Sequence, residues 1–449
     1  MSDALRSKSR KNKIMKTLSV GAYSKVVGVV VSFAIVPLAV GYLGTDGYGL
    51  WVAVSSLVAM LSFVDGGAGN ALVNMVSHAT GKNSEQSIKN IVSSGFFVLL
   101  MIAGVGGILF YGLSSYVPWT WVFGLGNDVG KFDLQTVVLI VGLAFFLGMP
   151  CAVVGNVERG FQEGNIEAFW NAKGRLLTLA FVFTAIQMDL GLIGVAIAFV
   201  SGPLVAAIAN SCYYFLIKRS NVSPSFSHVK ADEVKGILGV GGLFFVLQIT
   251  SAIQMQGDNI IIANMLGPSA VSQYAICMQL FMAIPMFMAL LWTPLWPAYR
   301  EALASGDAAW VRRVFVKSLK LALVVGVPSA VMLVVFGKEI IQLWVGDEVV
   351  PSTLLLLGCG IWLLLTILGG AIAMLLNALQ LMSLQIWIAA SAGIINILAT
   401  IFLIGQMGVE GAVFGSIISY IICAVIPCGI LIPRLLRNMT SGLANKVTI

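Results

Sequence analysis

Charge is scarce in this sequence. Only 10% of its 449 residues are Asp, Glu, Lys or Arg, whereas 59% are hydrophobic and the mean hydropathy is +0.96. Soluble domains carry about a quarter charged residues, so a chain this apolar must turn most of its surface to lipid. Soluble enzymes, nucleic-acid binders and secreted disulfide scaffolds are excluded on that ground. Histidine is scarcer still, with His78 and His228 far from any cysteine. The six cysteines (Cys151, Cys212, Cys277, Cys359, Cys423 and Cys428) lie in or beside apolar runs and form no CxxC pair. That pattern argues against metal sites and disulfides and for small buried apolar side chains. No Ser-His-Asp set and no carboxylate pair with a partner base is present, so no enzyme is expected. Long loops are missing too: connections such as 44–47, 267–269 and 405–408 leave no room for an extramembrane domain.

What the chain has instead is apolar length. A helix needs about 20 apolar residues to cross the hydrocarbon core. Twelve stretches fit or nearly fit: 18–43, 48–64, 91–113, 134–157, 170–186, 192–217, 237–266, 271–295, 319–343, 353–376, 384–404 and 412–432. The basic run Arg6, Lys8, Arg10, Lys11, Lys13 and Lys16 precedes the first, which lacks a small-residue cleavage site and reads as a retained span. An even number of spans puts both termini on one side. Of the 26 Lys and Arg, only Lys131 and Lys338 fall on the opposite side and Lys25 within a span. All the rest accompany the N-terminus, which predicts cytoplasmic termini. The net charge of +7 thus reports basic cytoplasmic loops, with no nucleic-acid partner.

The spans fall into two halves, 1–217 and 237–449, joined at 218–236 by a linker whose Asn221, Ser223, Pro224, Ser225 and Ser227 read as flexible. The halves share pieces. Arg159-Gly160-Phe161-Gln162-Glu163-Gly164-Asn165-Ile166-Glu167 corresponds to Asn377-Ala378-Leu379-Gln380-Leu381-Met382-Ser383-Leu384-Gln385. Leu190-Gly191-Leu192-Ile193-Gly194-Val195 corresponds to Met407-Gly408-Val409-Glu410-Gly411-Ala412, and spans one and seven both end in Leu-Gly (Leu43-Gly44, Leu266-Gly267). Because each half has an even number of spans, the repeat is parallel. The expected fold is all-α and polytopic: twelve transmembrane helices in two parallel-repeat six-helix halves around a central cavity, which is transporter architecture.

Ionisable groups inside a bilayer are costly and mark function by default. Lys25 lies roughly 10 Å into span one at 1.5 Å per residue, with the small residues Gly21, Gly28 and Ser32 beside it. It suits an anionic substrate group in a wet cavity; snorkelling to the interface and a pair with Asp65 are the structural alternatives. Asp65 opens the break Asp65-Gly66-Gly67-Ala68-Gly69-Asn70, where it either partners Lys25, carries a coupling proton or caps a helix. Asp258, flanked by Gly257 and Asn259, shares a face with Gln248 and Ser251, and Gln254 and Gln256 are close by. Such a row suits sugar hydroxyls, a cation or an interhelical hydrogen-bond set. Asn377, Gln380, Gln385 and Asn396 read as helix packing. Glu158, Arg159, Glu163 and Glu167 read as a solvated charged face at the cytoplasmic mouth. Pro294 and Pro297 end or kink span eight, with Trp296 and Tyr299 as interfacial anchors. Gly306 through Arg313 reads as a capped amphipathic helix on the inner leaflet.

Taken in order, these pieces resemble the polysaccharide flippases (O-antigen or Wzx type) of the multidrug/oligosaccharidyl-lipid/polysaccharide exporter superfamily. The likeness rests on Tyr42-Leu43-Gly44 through Gly47-Tyr48-Gly49, Phe63-Val64-Asp65-Gly66-Gly67-Ala68-Gly69, and Asp258-Asn259 through Leu266-Gly267. Its most distinctive piece is Leu295-Trp296-Pro297-Ala298-Tyr299-Arg300-Glu301-Ala302 followed by Gly306-Asp307, and Asn377, Asn396, Gly408 and Gly411 fit the last three helices. The resemblance implies an inner-membrane flippase moving an undecaprenyl-pyrophosphate-linked oligosaccharide, an O-antigen or exopolysaccharide repeat unit, from the cytoplasmic to the periplasmic leaflet by alternating access. It implies the lipid-linked oligosaccharide and the bilayer as partners, a polysaccharide polymerase and chain-length regulator proteins alongside, and no cofactor beyond a coupling proton or sodium ion. Lys25, Arg159 and Arg300 are the candidate contacts for pyrophosphate; Asp65, Gln248, Asp258 and Asn259 are those for sugar or ion. A multidrug/cation antiporter of the same superfamily is the rival, disfavoured by Lys25. A membrane glycosyltransferase or ligase would carry a large periplasmic loop that this sequence lacks.

Overall fold

Where no water can complete an open backbone group, a spanning chain must satisfy its own amides, and the helix does so within each segment. Among the described residues every regular element is helical. The computed structural model describes residues 3–82, 84–125 and 133–440, with side chains placed except at 3–18, 62, 240–255, 382 and 438–440. The fold divides into two compact units, Met1–Ala252 and Ile253–Ile449, and the boundary falls inside one long helix.

Unit one opens with α1 (Asp3–Met60), broken at Gly44 (φ 70°, ψ 176°) into two arms that supply the first two predicted spans. A 3-10 turn, Leu61–Asp65, and the left-handed pair Gly66 and Gly67 lead into α2 (Ala68–Gly81). Then come α3 (Glu85–Ser114), α4 (Trp119–Val122), α5 (Leu134–Gly160), α6 (Gly164–Gln187) and α7 (Gly191–Cys212). A π-helical stretch, Tyr213–Lys218, extends α7, and α8 (Ala231–Leu266) crosses the boundary. Unit two holds α9 (Pro268–Trp292), α10 (Leu295–Ala304), α11 (Ala308–Val345), α12 (Thr353–Ala378) and α13 (Met382–Met407). It ends with α14 (Glu410–Tyr420), a π-helical stretch Ile421–Val425, and α15 (Ile426–Thr440). Each of the twelve predicted spans therefore has its helix. Large apolar side chains such as Ile108, Leu216, Val324 and Leu343 stand exposed, as lipid-facing residues must.

The duplication is written in the backbone. Gly44 and Gly267 (φ 87°, ψ 174°) share one conformation. Gly191 and Gly408 have φ of 62° and 74°. Gln162 and Gln380, each two residues past the end of its helix, α5 and α12, both sit at φ 60°. A non-glycine residue in that region is uncommon, so this last pair is the sharpest mark of the repeat.

Lipid gives helices no hydrophobic reason to associate, and small residues that let backbones touch do much of the work. On α6 and α7, a methyl added to Gly202 would fall 2.6 Å from the Thr178 nitrogen and 2.7 Å from the Gly174 carbonyl oxygen. On α13 and α14, a methyl at Gly411 would meet the Ile404 nitrogen at 2.3 Å.

Three expectations fail here. The segment 218–236 does not hang free: Ser225 N and Lys230 N donate to Ser93 and Ser94 of α3 at 3.1 and 3.0 Å, and Phe226 packs edge-on against Phe97. Gly306 through Arg313 is no separate surface helix; Asp307 caps α11, which runs unbroken into its span. Tyr299 is fully buried on α10, its hydroxyl 3.4 Å from Ser318 Oγ, while Trp296 alone of the pair stays exposed.

Gly202→Ala should cost about 1–3 kcal/mol by forcing α6 and α7 apart, lowering the melting temperature of the detergent-purified protein. Gly41→Ala, with open space beside it, should leave melting unchanged or raise it. Equal melting of the two variants would show that α6 and α7 are not held by this contact.

Candidate functional site

Unit one contains a cavity of about 670 Å³, within the range of small-ligand sites. The second arm of α1 contributes Trp51 and Ser55, α5 contributes Asn156 and Arg159, α6 brings Glu167, Trp170 and Asn171, and α7 adds Phe199 and Asn210. Trp51 stacks on Phe199 with ring centroids 4.3 Å apart. The wall thus alternates flat aromatic faces with amides.

Asp65 and Arg159, two of the residues singled out from the sequence, both line this cavity. The Asp65 carboxylate accepts from Gly67 N at 2.8 Å and Gly69 N at 3.3 Å, satisfying donors at the start of α2. It is a helix cap and a cavity wall at once. A side chain at Gly69 would intrude between Asp65 and Asn156, at 3.1 and 3.0 Å. Arg159 pairs with Glu167 at 3.2 Å and donates to Asn156 Oδ1.

Lys25 is half-buried on α1 and forms no ion pair among the described residues, so the Lys25–Asp65 pair is not realised there. The room beside it is taken by another cation. Arg175 of α6 lies across Gly28, where it fills the space of a missing side chain, and donates Nη1 to the Ser24 carbonyl at 3.0 Å. The small residues flanking Lys25 were the signal for this; the guanidinium that uses them comes from α6. The other cation, Lys173, covers the rings of Phe169 and Trp170 at 4.5 and 4.7 Å.

The acidic residues around the α5–α6 turn are not a solvated face. Glu158 has no exposed surface and Glu163 is 8% exposed. The π-helical end of α7 swings three groups onto Glu163: Tyr214 Oη, Lys218 Nζ and Arg219 Nη2 each donate to its carboxylate at 3.0 Å. Burial alone would push the Glu163 carboxyl up, but the hydrogen bonds and charges of Lys218 and Arg219 hold it below its ordinary value. A carboxyl depressed on folding stabilises above its unfolded pKa and loses that contribution as pH falls through the folded one. The melting temperature should therefore drop as the medium is acidified below the ordinary carboxylate range, and Glu163→Gln should flatten that part of the curve. An unchanged acid limb in Glu163→Gln would assign the effect elsewhere.

In unit two, Asp258 is buried at 7% exposure. Its Oδ2 accepts from Tyr274 Oη at 3.0 Å and Ser416 Oγ at 2.8 Å; its Oδ1 accepts from Thr400 Oγ1 at 3.3 Å. With the Asn396 amide oriented to satisfy both its atoms, its nitrogen donates to Oδ1 at 3.2 Å. The carboxylate therefore ties α8, α9, α13 and α14. Asn259 follows it half-buried, and the Gln248 side chain lies outside the described residues. Arg300 is exposed on α10, its guanidinium 2.8 and 3.2 Å from the Gln380 amide oxygen once that amide is likewise oriented. Gln385 Nε2 donates to Asn377 Oδ1 at 2.9 Å. Asp258→Ala should strand several buried donors at about 1–3 kcal/mol each and melt well below wild type. Asp258→Asn, which keeps the shape, should melt between them; an Ala variant as stable as wild type would refute the tie.

The geometry defines a multi-pass helical membrane protein with a polar, aromatic-walled cavity in its first unit. The family model described as polysaccharide biosynthesis protein matches residues 14–302, and the chain belongs to that family. It is 22% identical over 403 residues to a candidate O-antigen transporter of Salmonella typhimurium (strain LT2), covering 88% of this chain and 91% of that protein. To a candidate O-antigen export protein of Yersinia pseudotuberculosis it is 24% identical over 294 residues, covering 62% and 63%. Among solved structures it is similar to a multidrug resistance MATE family transporter of the MOP superfamily in its inward-facing conformation. That match has TM-score 0.74 and 14% identity, over 95% of this chain and 99% of the other. A MOP superfamily transporter from Pyrococcus furiosus, described as having a binding pocket of reverse polarity, matches with TM-score 0.63 and 13% identity, over 96% and 97%. The expected fold and family both hold, and members of this group are transporters rather than enzymes.

Proposed function

We propose that this protein is a flippase for a lipid-linked glycan. It carries an undecaprenyl-pyrophosphate-linked oligosaccharide, such as an O-antigen repeat unit, from the cytoplasmic to the periplasmic leaflet of the inner membrane by alternating access, with both termini in the cytoplasm. A polysaccharide polymerase and chain-length regulator then receive it. The unit-one cavity carries this reading. Trp51, Phe199 and Trp170 offer flat apolar faces to pyranose rings, and Asn156, Asn171 and Asn210 offer donors and acceptors to sugar hydroxyls. Lys25 and Arg175, the latter held at Ser24 and Gly28 of the same arm of α1, lie outside the residues that line this cavity and are cations suited to a pyrophosphate. The prenyl chain needs no site, because lipid already solvates it.

A cation antiporter has less support. Its substrate calls for a free carboxylate lining the cavity, but the two carboxylates that line it, Glu167 and Asp65, are engaged by Arg159 and by backbone donors.

The test is a leaflet assay in liposomes carrying a fluorescent undecaprenyl-pyrophosphate glycan, with translocation read as loss of accessibility to an external quencher. Wild type should translocate. Lys25→Ala should be slower by about tenfold or more, the effect of losing one charge-assisted hydrogen bond of about 1.5–3 kcal/mol. Wild-type protein that moves no such glycan but exchanges a cationic drug would replace this reading with the antiporter.

A further inference from the structure

Three buried side-chain oxygens in unit one have no hydrogen-bond partner among the described residues, and two of them, apart from Ser55 Oγ, belong to one pair of side chains. Glu158 of α5 is wholly buried and Asn210 of α7 is 4% exposed. Asn210 Nδ2 donates to Glu158 Oε2 at 3.3 Å. Glu158 Oε1 and Asn210 Oδ1, however, have no hydrogen-bond partner among the described residues. An orphaned buried polar atom gives up its hydration and gains no hydrogen bond in return, and such atoms are rare enough in folded proteins that each calls for a cause.

One proton answers for both. A carboxyl protonated on Oε1 becomes a donor for Asn210 Oδ1, and acid and amide then exchange two hydrogen bonds. The same proton removes a negative charge from a place where burying one is expensive. No nearby cation is committed to that charge instead. On α5 itself Arg159 is held by Glu167 of α6 and by Asn156. Lys218 and Arg219, at the end of α7, are held by Glu163 of the α5–α6 turn. Glu163 and Glu167 are themselves acidic neighbours, and Asp65, across the cavity wall, is capped by Gly67 and Gly69. Asn210 lines the cavity, so the buried carboxyl communicates with it through the amide.

We propose that Glu158 and Asn210 form a proton-binding site on the cavity wall, and that its proton is the coupling ion of transport. The coupling role rests on the flippase reading; the site does not. Loading converts the carboxylate and a proton to the carboxylic acid, closing the α5–α7 pair. Release reopens it and adds one negative charge next to the space where substrate binds, so proton and substrate affinities are linked reciprocally.

Infrared spectra of the full-length protein in nanodiscs, taken across a pH titration, test the site. Wild type should show the carbonyl stretch of a protonated carboxyl. Glu158→Gln should lose it, and this variant folds because its amide supplies the donor that Asn210 Oδ1 lacks. Asn210→Leu should keep the band at a shifted frequency. A Glu158→Gln spectrum identical to wild type overturns the site. In liposomes, an imposed pH gradient should accelerate wild-type glycan translocation, by up to about tenfold per pH unit for one proton, and Glu158→Gln should lose that acceleration. Wild-type translocation indifferent to the gradient overturns the coupling. A wild type that shows the band yet moves no glycan overturns the flippase reading and upholds the proton site.

Discussion

In hydrocarbon no water completes a polar group, so each buried donor, acceptor and charge in this chain needs a partner within the protein. The whole architecture answers to that requirement. Helices settle the backbone. The four donors around Asp258 settle a carboxylate that would otherwise be ruinous in unit two. Tyr214, Lys218 and Arg219 do the same for Glu163 in unit one. Against that background, Glu158 stands out among the described carboxylates because, with Asn210, it meets the requirement only by half, whereas Ser55 and Trp292, which also lack a partner, are neutral. With the other buried carboxylates among the described residues, Glu163 and Asp258, so thoroughly paired, there is room for one that is completed by something mobile.

The spans and the duplication were legible because they depend on composition and on single glycines. Twenty apolar residues announce a crossing wherever they occur, and the Leu-Gly endings at Gly44 and Gly267 returned as one backbone conformation. The site was legible only in part. Asp65 and Arg159 do meet at one cavity, but nothing in a linear pattern says where a long side chain ends. Arg175 sits near the start of span five, and only the fold shows its guanidinium lying on Gly28. Glu158 and Glu163 read as solvated because acidic residues at a span's end normally are. The π-helical end of α7, which brings Lys218 and Tyr214 onto Glu163, has no sequence signature. Tyr299 failed for a related reason: an aromatic residue near an interface packs inward or outward according to its neighbours, here Ser318 and Trp310.

The repeat shows how one scaffold was given two chemistries. The turn that ends α5 and the turn that ends α12 have the same backbone, with Gln162 and Gln380 at the same φ. At matching positions one turn later and one turn earlier, the first copy joins Arg159 to Glu167 by an ion pair of 3.2 Å, whereas the second joins Asn377 to Gln385 by an amide hydrogen bond of 2.9 Å. The bridge is the same; only its charge differs. Were its purpose only to staple the turn, the neutral version would serve equally well in both copies, since an exposed ion pair adds little stability over a hydrogen bond. The charged version occurs where the bridge lines a cavity that also carries Asp65, Asn171 and Asn210. Placement beside the cavity, rather than strength, is what distinguishes it, and the proposed role in substrate handling rests on that placement.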